Sequence, residues 1–190
     1  MNSSKPTKYT LISRDGSGGF VIEAVLKCAD ADVKCWRLES QPNAAVGAVL
    51  ISQLEGGTKT KTVKDVNPWG QVPILLVGGD SSGEKVLTET AAMLHYLAMH
   101  EPAIRDGRWL SWNNNPEGFF RWSVFLAVNV YEGILRLCYP SRYVDTDAVG
   151  HVESVRTSAK QRLTKAFAVI EQELQRREDG GAPGFLLGPR

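Results

Sequence analysis

Asn67-Pro68-Trp69-Gly70-Gln71-Val72-Pro73-Ile74-Leu75-Leu76, followed a short way on by Leu87-Thr88-Glu89-Thr90-Ala91, is the part of the chain from which its fold can be read. Pro73 stands just ahead of an apolar run, and proline biases the preceding Val72 to extended geometry. The segment therefore reads as a sharp turn into a strand and not as a strand interior. A cis Val72–Pro73 bond suits that turn and would face the Val72 N–H and C=O outward, free to pair ladder-fashion with an extended peptide. Glu89 and Thr90 fall at the start of a helix. The first N–H groups of a helix lack intrahelical partners and bind a carboxylate, while the Glu89 carboxylate can take up an ammonium. A zwitterionic amino-acid end fits both.

Outward from this stretch, Tyr9 to Ser13 reads as a strand, Arg14 to Gly19 as a turn, and Val21, Ala24, Val25 and Cys28 recur at helical spacing. Val33 to Leu38 completes a β-α-β unit. Between Glu39 and Asp65 the glycines and the Thr-Lys alternation at 58–62 break any long period, and a short helix over 44–54 with a loop after it is expected. Ile74 to Val77 and Lys85 to Thr88 read as a hairpin, and Ala91 to His100 as a helix. Pro102 to Pro116 reads as a connection. Beyond it, Phe119, Trp122, Leu126, Asn129, Gly133 and Leu137 keep three-and-four spacing on a helix apolar on more than one face, stopped by Tyr139-Pro140. A second long helix over 146–177 carries Val152, Val155, Ala159, Leu163, Ala166, Ile170 and Leu174 on one stripe.

The 190 residues suffice for one large or two small domains with a real core. A formal net charge of +1 gives no general attraction for nucleic acid or an anionic membrane. No apolar run approaches the ~20 residues of a membrane span, and residues 1–8 lack the apolar centre of a signal peptide, so the expected location is the cytosol. Cys28, Cys35 and Cys138 are scattered and odd in number, which argues against a disulfide framework or a zinc site and for small buried apolar residues. His95, His100 and His151 match no metal spacing, and no metal is expected.

The pattern N-P-x-G-x-V-P-x-L, then L-T-E-S/T-x-A-I/M-x-x-Y-L, resembles the glutathione transferase superfamily, with Thr90 for the commoner serine and Met93 for the commoner isoleucine. The resemblance runs from about Tyr9 to the end of the chain. It implies an α/β thioredoxin-like N-terminal domain over 1–101, a linker over 102–116 and an all-α helical domain over 117–190. It also implies glutathione as co-substrate, a hydrophobic electrophile as second substrate, a cytoplasmic homodimer and a role in detoxification. Val72 through its backbone, Glu89 and Thr90 through the γ-glutamyl end, and Gln71 toward the glycyl carboxylate would bind glutathione, and Pro73 would shape the site. A helix cap at Glu89-Thr90 and a solvated loop residue at Gln71 are the plain alternatives.

Ser17 occupies the position where serine-type members of that superfamily place the hydroxyl that hydrogen-bonds the glutathione sulfur and favours its thiolate. Serine is also a preferred N-cap and would stand there without any chemistry. Ser13 is the weaker candidate, Tyr9 lies where tyrosine-type members do not carry theirs, and the absence of cysteine from the turn argues against thiol-transfer chemistry. Arg121, Arg136, Arg142 and Tyr143 fall in the helical domain, which in the superfamily lines the electrophile pocket; ordinary surface arginines are the alternative. Phe185-Leu186-Leu187-Gly188 resembles the F-L-x-G that precedes a capping box and a central buried helix, so the helical domain reads as cut short at Arg190. Exposed apolar surface, and with it low stability or tight oligomerisation, is the expected consequence. A non-catalytic dimerisation or scaffold module is the rival reading, and glutathione-dependent reduction of disulfides or peroxides a third.

Overall fold

The computed structural model describes residues 9–38, 50–51, 61–78, 85–105, 115–145 and 149–181. The chain divides into two compact units, Met1–Leu110 and Ser111–Arg190.

The first unit is built on a mixed sheet of β1 (Tyr9–Ser13), β2 (Val33–Arg37), β5 (Ile74–Val77) and β6 (Lys85–Leu87), in the order β2-β1-β5-β6. β1 runs parallel to β2 and antiparallel to β5, and β6 returns antiparallel along β5. The parallel pair needs a crossover, which is α1 (Gly19–Cys28), and α3 (Thr90–His100) follows β6. This is the thioredoxin-like arrangement. Alternation gives the sheet two covered faces. On one, Ile12, Ile74 and Leu76 pack with Val63 of α2 (Val63–Val66), flanked by Trp36, Val66 and Val72. The opposite parity, Tyr9, Leu11 and Leu75, is buried at 1% exposure or less, as are Ile22 and Leu26 of α1 and Met93 and Leu97 of α3. The Tyr9 hydroxyl donates to Glu101 Oε2 at 2.9 Å, tying the start of β1 to the end of α3. Pro102–Arg105, within the stretch read as a connection, forms a further helical turn, α4, that buries Ile104 completely.

Three expectations for this unit are corrected. At Leu50–Ile51 the structure has a strand, β3, paired antiparallel with β4 (Lys61–Thr62), where a helix over 44–54 was expected; the rest of that helix lies outside the described residues. The Thr-Lys alternation, read above as a break, has the period of a strand. The expected inward stripe of α1 is also displaced: Gly19, Ile22, Glu23 and Leu26 face inward, whereas Val21 and Cys28 are exposed. Phe20-Val21-Ile22 and Ala24-Val25-Leu26 are apolar all round, so spacing alone does not choose the face. The cysteines are also not small core residues, Cys28 and Cys138 being exposed and Cys35 half-buried.

In the second unit Asn115 caps α5 (Pro116–Phe125), its Oδ1 accepting the Gly118 N–H at 2.9 Å with Pro116 at the first helical position. The helix continues through a π-helical segment, Leu126–Tyr131, into α6 (Glu132–Cys138). Phe119, Trp122 and Gly133 of the expected stripe are buried, but Leu126, expected inward, is 38% exposed. Phe120, Val124, Val128 and Tyr131 form an exposed apolar row on the outer side. Gly133 lets α6 close on α7 (Val149–Asp179), since a methyl there would stand 2.9 Å from Leu163 Cδ2. The α7 stripe is as expected, with Ala159, Leu163 and Ala166 buried and Val152, Val155, Ile170 and Leu174 half-buried. Toward its end Glu173 binds Arg176 and Arg177, and the hydrogen bond from Arg176 is the main cause holding its carboxyl at about 2.

Two contacts fix α1 on the sheet. A methyl on Gly19 would stand 2.5 Å from Ser13 Cβ and 3.3 Å from Pro73 Cβ. Neither carbon can rotate away. Farther along, the buried Glu23 carboxylate accepts from Lys27 at 2.6 Å and from Arg37 at the end of β2, and Arg37 reaches Asp15 in the β1–α1 turn at 3.2 Å. The Lys27 hydrogen bond is the main cause depressing the Glu23 carboxyl. Gly19→Ala should therefore cost about 1–3 kcal/mol by lifting α1, and adding Ser13→Gly should recover part of it, both read by thermal unfolding. Glu23→Gln should cost about 1 kcal/mol at neutral pH. Because the depressed carboxyl lends stability above its unfolded pKa and loses it as pH falls through the folded value, that variant should also flatten the fall in stability between pH 5 and 3.

Candidate functional site

The Ser17 turn follows β1. Gly16 takes φ +73°, which only glycine adopts freely, and Ser17 N–H donates to Arg14 O at 3.2 Å to close the turn. The Ser17 hydroxyl is engaged locally: it donates to Arg14 O at 2.8 Å and accepts from the Gly19 N–H at 3.3 Å and the Arg14 N–H at 3.4 Å. Serine here thus closes its own turn; it is not the expected N-cap of α1, which is Gly18 with no side-chain capping hydrogen bond. Ser13, by contrast, is completely buried, and its Oγ has no partner among the described residues. It lies beneath Gly19 and touches no solvent, so it is placed as floor and not as a surface group.

Two distant segments meet α1 at its first turn. The Val72–Pro73 bond is cis, Pro73 is buried, and Val72 packs at the edge of the sheet core. Pro73 reaches Gly19, as described. From the other side comes Thr90, whose Oγ1 would stand 2.4 Å from a methyl on Gly18. The turn bearing Ser17, the Val72–Pro73 corner and the start of α3 are therefore brought together, although 73 residues separate the first from the last. Gln71 is exposed in the same loop as Val72.

Glu89 is the N-cap of α3 with φ +66° and ψ 114°, a backbone conformation costing a non-glycine residue on the order of 1–2 kcal/mol. Its side chain makes no capping hydrogen bond, so helix capping does not explain it. Neither α1 nor α3 has an acidic residue in its first turn. Two positive helix ends thus converge without a carboxylate inside either, an arrangement that favours an anion between them.

Sequence reasoning passed over Asn67, which is 7% exposed. Its Nδ2 donates to Gln71 O at 2.8 Å and its Oδ1 accepts the Trp69 N–H at 3.2 Å, while Gly70 N–H donates to its backbone O at 2.7 Å. The signal was present, since Asn before a Pro-x-Gly stretch favours a side-chain-closed turn. Tyr9 lies at the opposite end of β1, bonded to Glu101, and takes no part. In the helical unit Arg121 stacks on Trp122, Arg142 on Tyr139, and Arg136 on Tyr143 while pairing with Glu132. Burial raises the Tyr143 hydroxyl above its usual pKa. Among the described residues no three His, Cys, Asp or Glu side chains gather to hold a metal ion, and no helix is long and apolar enough to cross a membrane.

Residues 46–100 match the family model described as glutathione S-transferase, N-terminal domain. No curated protein matches the chain by sequence. Among solved structures it is similar to a glutathione transferase homolog from Lodderomyces elongisporus with two GSH per subunit, at 14% identity and TM-score 0.64, over 93% of this chain and 73% of that one. It is likewise similar to a glutathione transferase from Methylococcus capsulatus, at 19% identity and TM-score 0.63, over 96% and 74% of the two chains. Ure2p in complex with glutathione gives 18% identity and TM-score 0.66 over 94% and 69%. The family match runs through Val72, Pro73, Glu89 and Thr90, and over more than nine-tenths of its length the chain shares the fold of these glutathione transferase structures.

Proposed function

We propose that the chain binds glutathione at the start of α1 and α3 and adds its thiolate to an electrophilic small molecule. The observation that carries this reading is the convergence of two acid-free helix N-termini, that of α1 against Pro73 and that of α3 against Gly18, beside an uncapped Glu89 held at positive φ. The γ-glutamyl carboxylate takes the α3 N–H groups and the Thr90 hydroxyl, and its ammonium takes Glu89. The cysteinyl backbone pairs with Val72, Gln71 faces the glycyl end, and Pro73 shapes the corner. The sulfur then lies at the first turn of α1, where the helix end and the Ser17 hydroxyl favour its thiolate. To donate to sulfur, that hydroxyl turns away from Arg14 O. The thiol proton leaves to solvent, the sulfur lone pair forms the bond to the electrophilic carbon, and the displaced group departs with its electron pair or, in an addition, the carbanion takes a proton. Solved neighbours with bound glutathione support the ligand, and no metal is part of this reading.

A cytoplasmic homodimer binding a hydrophobic electrophile, with detoxification as its role, completes the proposal. The exposed row of Phe120, Val124, Val128 and Tyr131 supports self-association. One observation favours the second reading, a non-catalytic dimerisation or scaffold module: the Ser17 hydroxyl is already used inside its own turn.

Titration calorimetry with glutathione tests the binding, and saturable binding by the folded chain is expected; its absence would sink the proposal. Glu89→Gln should weaken binding about ten-fold or more, as loss of a charge-assisted contact does. Glu89→Gly should weaken it equally while leaving the fold at least as stable, because glycine accepts φ +66°. Ser17→Ala should retain glutathione but shift the pH–rate profile of conjugation upward, since the thiol loses a donor that favours its ionised form. An unmoved profile would assign Ser17 to the turn alone.

A further inference from the structure

We infer that Asn67 is a positioning residue of the glutathione site, aiming the Val72 N–H at the ligand; this rests on the reading proposed above. Gln71 C=O and Val72 N–H are the two edges of one trans peptide unit, the cis bond being the next one along. In a planar trans peptide the two groups point in opposite directions, so whatever holds the carbonyl fixes the N–H. Asn67 Nδ2 holds that carbonyl at 2.8 Å from the buried side, which turns the Val72 N–H away from the loop interior. The same amide takes the Trp69 N–H at 3.2 Å through Oδ1, so it cannot swing without breaking a second bond. Its backbone is anchored in turn, the Asn67 N–H donating to Val63 O of α2 at 2.8 Å. Asn67 touches no ligand in this arrangement. It supplies a donor on one side and an acceptor on the other, at a spacing that an ionised carboxylate cannot reproduce.

Asn67→Asp exploits that difference. The ionised side chain keeps the acceptor for Trp69 but sets a negative oxygen against Gln71 O, whereas the protonated one regains an O–H donor. Burial and the facing carbonyl both favour the neutral form, so the introduced carboxyl titrates above the ordinary ~3.9 of an aspartic acid. The nearest charged groups of α2, Lys64 and Asp65, are exposed, and Asp65 is occupied by the Thr62 cap. The donor-bearing form therefore gains as pH falls. Glutathione dissociation constants are measured by calorimetry between pH 5 and 8 on folded protein, checked by near-ultraviolet circular dichroism, for the unmodified chain, Asn67→Asp and Asn67→Ala. Expected are about ten-fold weaker binding by Asn67→Asp at pH 8, most of it recovered at pH 5, and about the same loss at every pH for Asn67→Ala. A purely structural role would leave the affinity of the folded fraction unmoved by pH, and that result overturns the inference, as would unchanged affinity in either variant. Failure of both variants to fold would also overturn it, making Asn67 a folding residue. No binding by the unmodified chain would overturn the glutathione reading itself.

Discussion

The first turn of α1 lies so close to β1 and to the Pro73 corner that only a residue without a side chain fits at Gly19, and the site depends on that approach. Gly18 repeats the device against Thr90 on the other side. Two consecutive glycines at a helix start carry a cost in chain entropy of roughly 0.5–1 kcal/mol each. They offset it by allowing a helix N-terminus, a strand end and a second helix N-terminus to occupy one small volume. Ion pairing then holds the arrangement from behind: Glu23 joins α1 to β2 through Arg37, and Arg37 carries the constraint into the Ser17 turn through Asp15. The Arg37–Asp15 pair is largely exposed and contributes little by itself. Glu23 is the buried member, and it anchors the network.

That geometry creates an electrostatic demand which the chain does not meet internally. The positive ends of α1 and α3 face a common region, and neither first turn contains Asp or Glu. Glu89 lies outside α3 as its N-cap, with its carboxylate unused for capping and its backbone strained. A protein optimised only for stability would place an acidic residue in these turns and glycine at position 89. Both departures concern the same few residues. An incoming carboxylate and ammonium, as in the proposed binding, would satisfy both.

The parts legible in the sequence were those with a single physical reading. A proline between a turn and an apolar run fixes the approach to β5, and the α7 stripe was legible because, Phe167 and Val169 apart, its exposed positions are mostly polar or small. Where apolar residues surround a helix, as in Phe20-Val21-Ile22, spacing cannot choose the inward face, and the α1 stripe was misassigned. The π-helical turns at Leu126–Tyr131 are a different case, since no residue type announces the change of register within the helix. At the site, the residues that meet at α1 could be named in advance because they belong to one motif. Asn67 belongs to the same motif, yet its role is a relation between two backbone groups on either side of a turn, visible only once the turn is closed.

The Ser17 hydroxyl poses the remaining question of energetics. In the structure it donates to a neutral carbonyl, a bond of the kind that contributes about 0.5–1.5 kcal/mol net, whereas a donor to a charged partner gains about 1.5–3 kcal/mol. A thiolate at the first turn of α1 would therefore outcompete Arg14 O for the proton, and a neutral thiol would not. The exchange leaves Arg14 O with its second partner, the Ser17 N–H at 3.2 Å, so the turn stays closed when the hydroxyl moves. The local bond thus keeps a polar group satisfied without a ligand and, on the proposed reading, would release it to the ionised one. Turn closure and the proposed thiolate stabilisation need not be alternatives at this position: the first holds the donor in place, and the second is what the donor would do beside a negative sulfur.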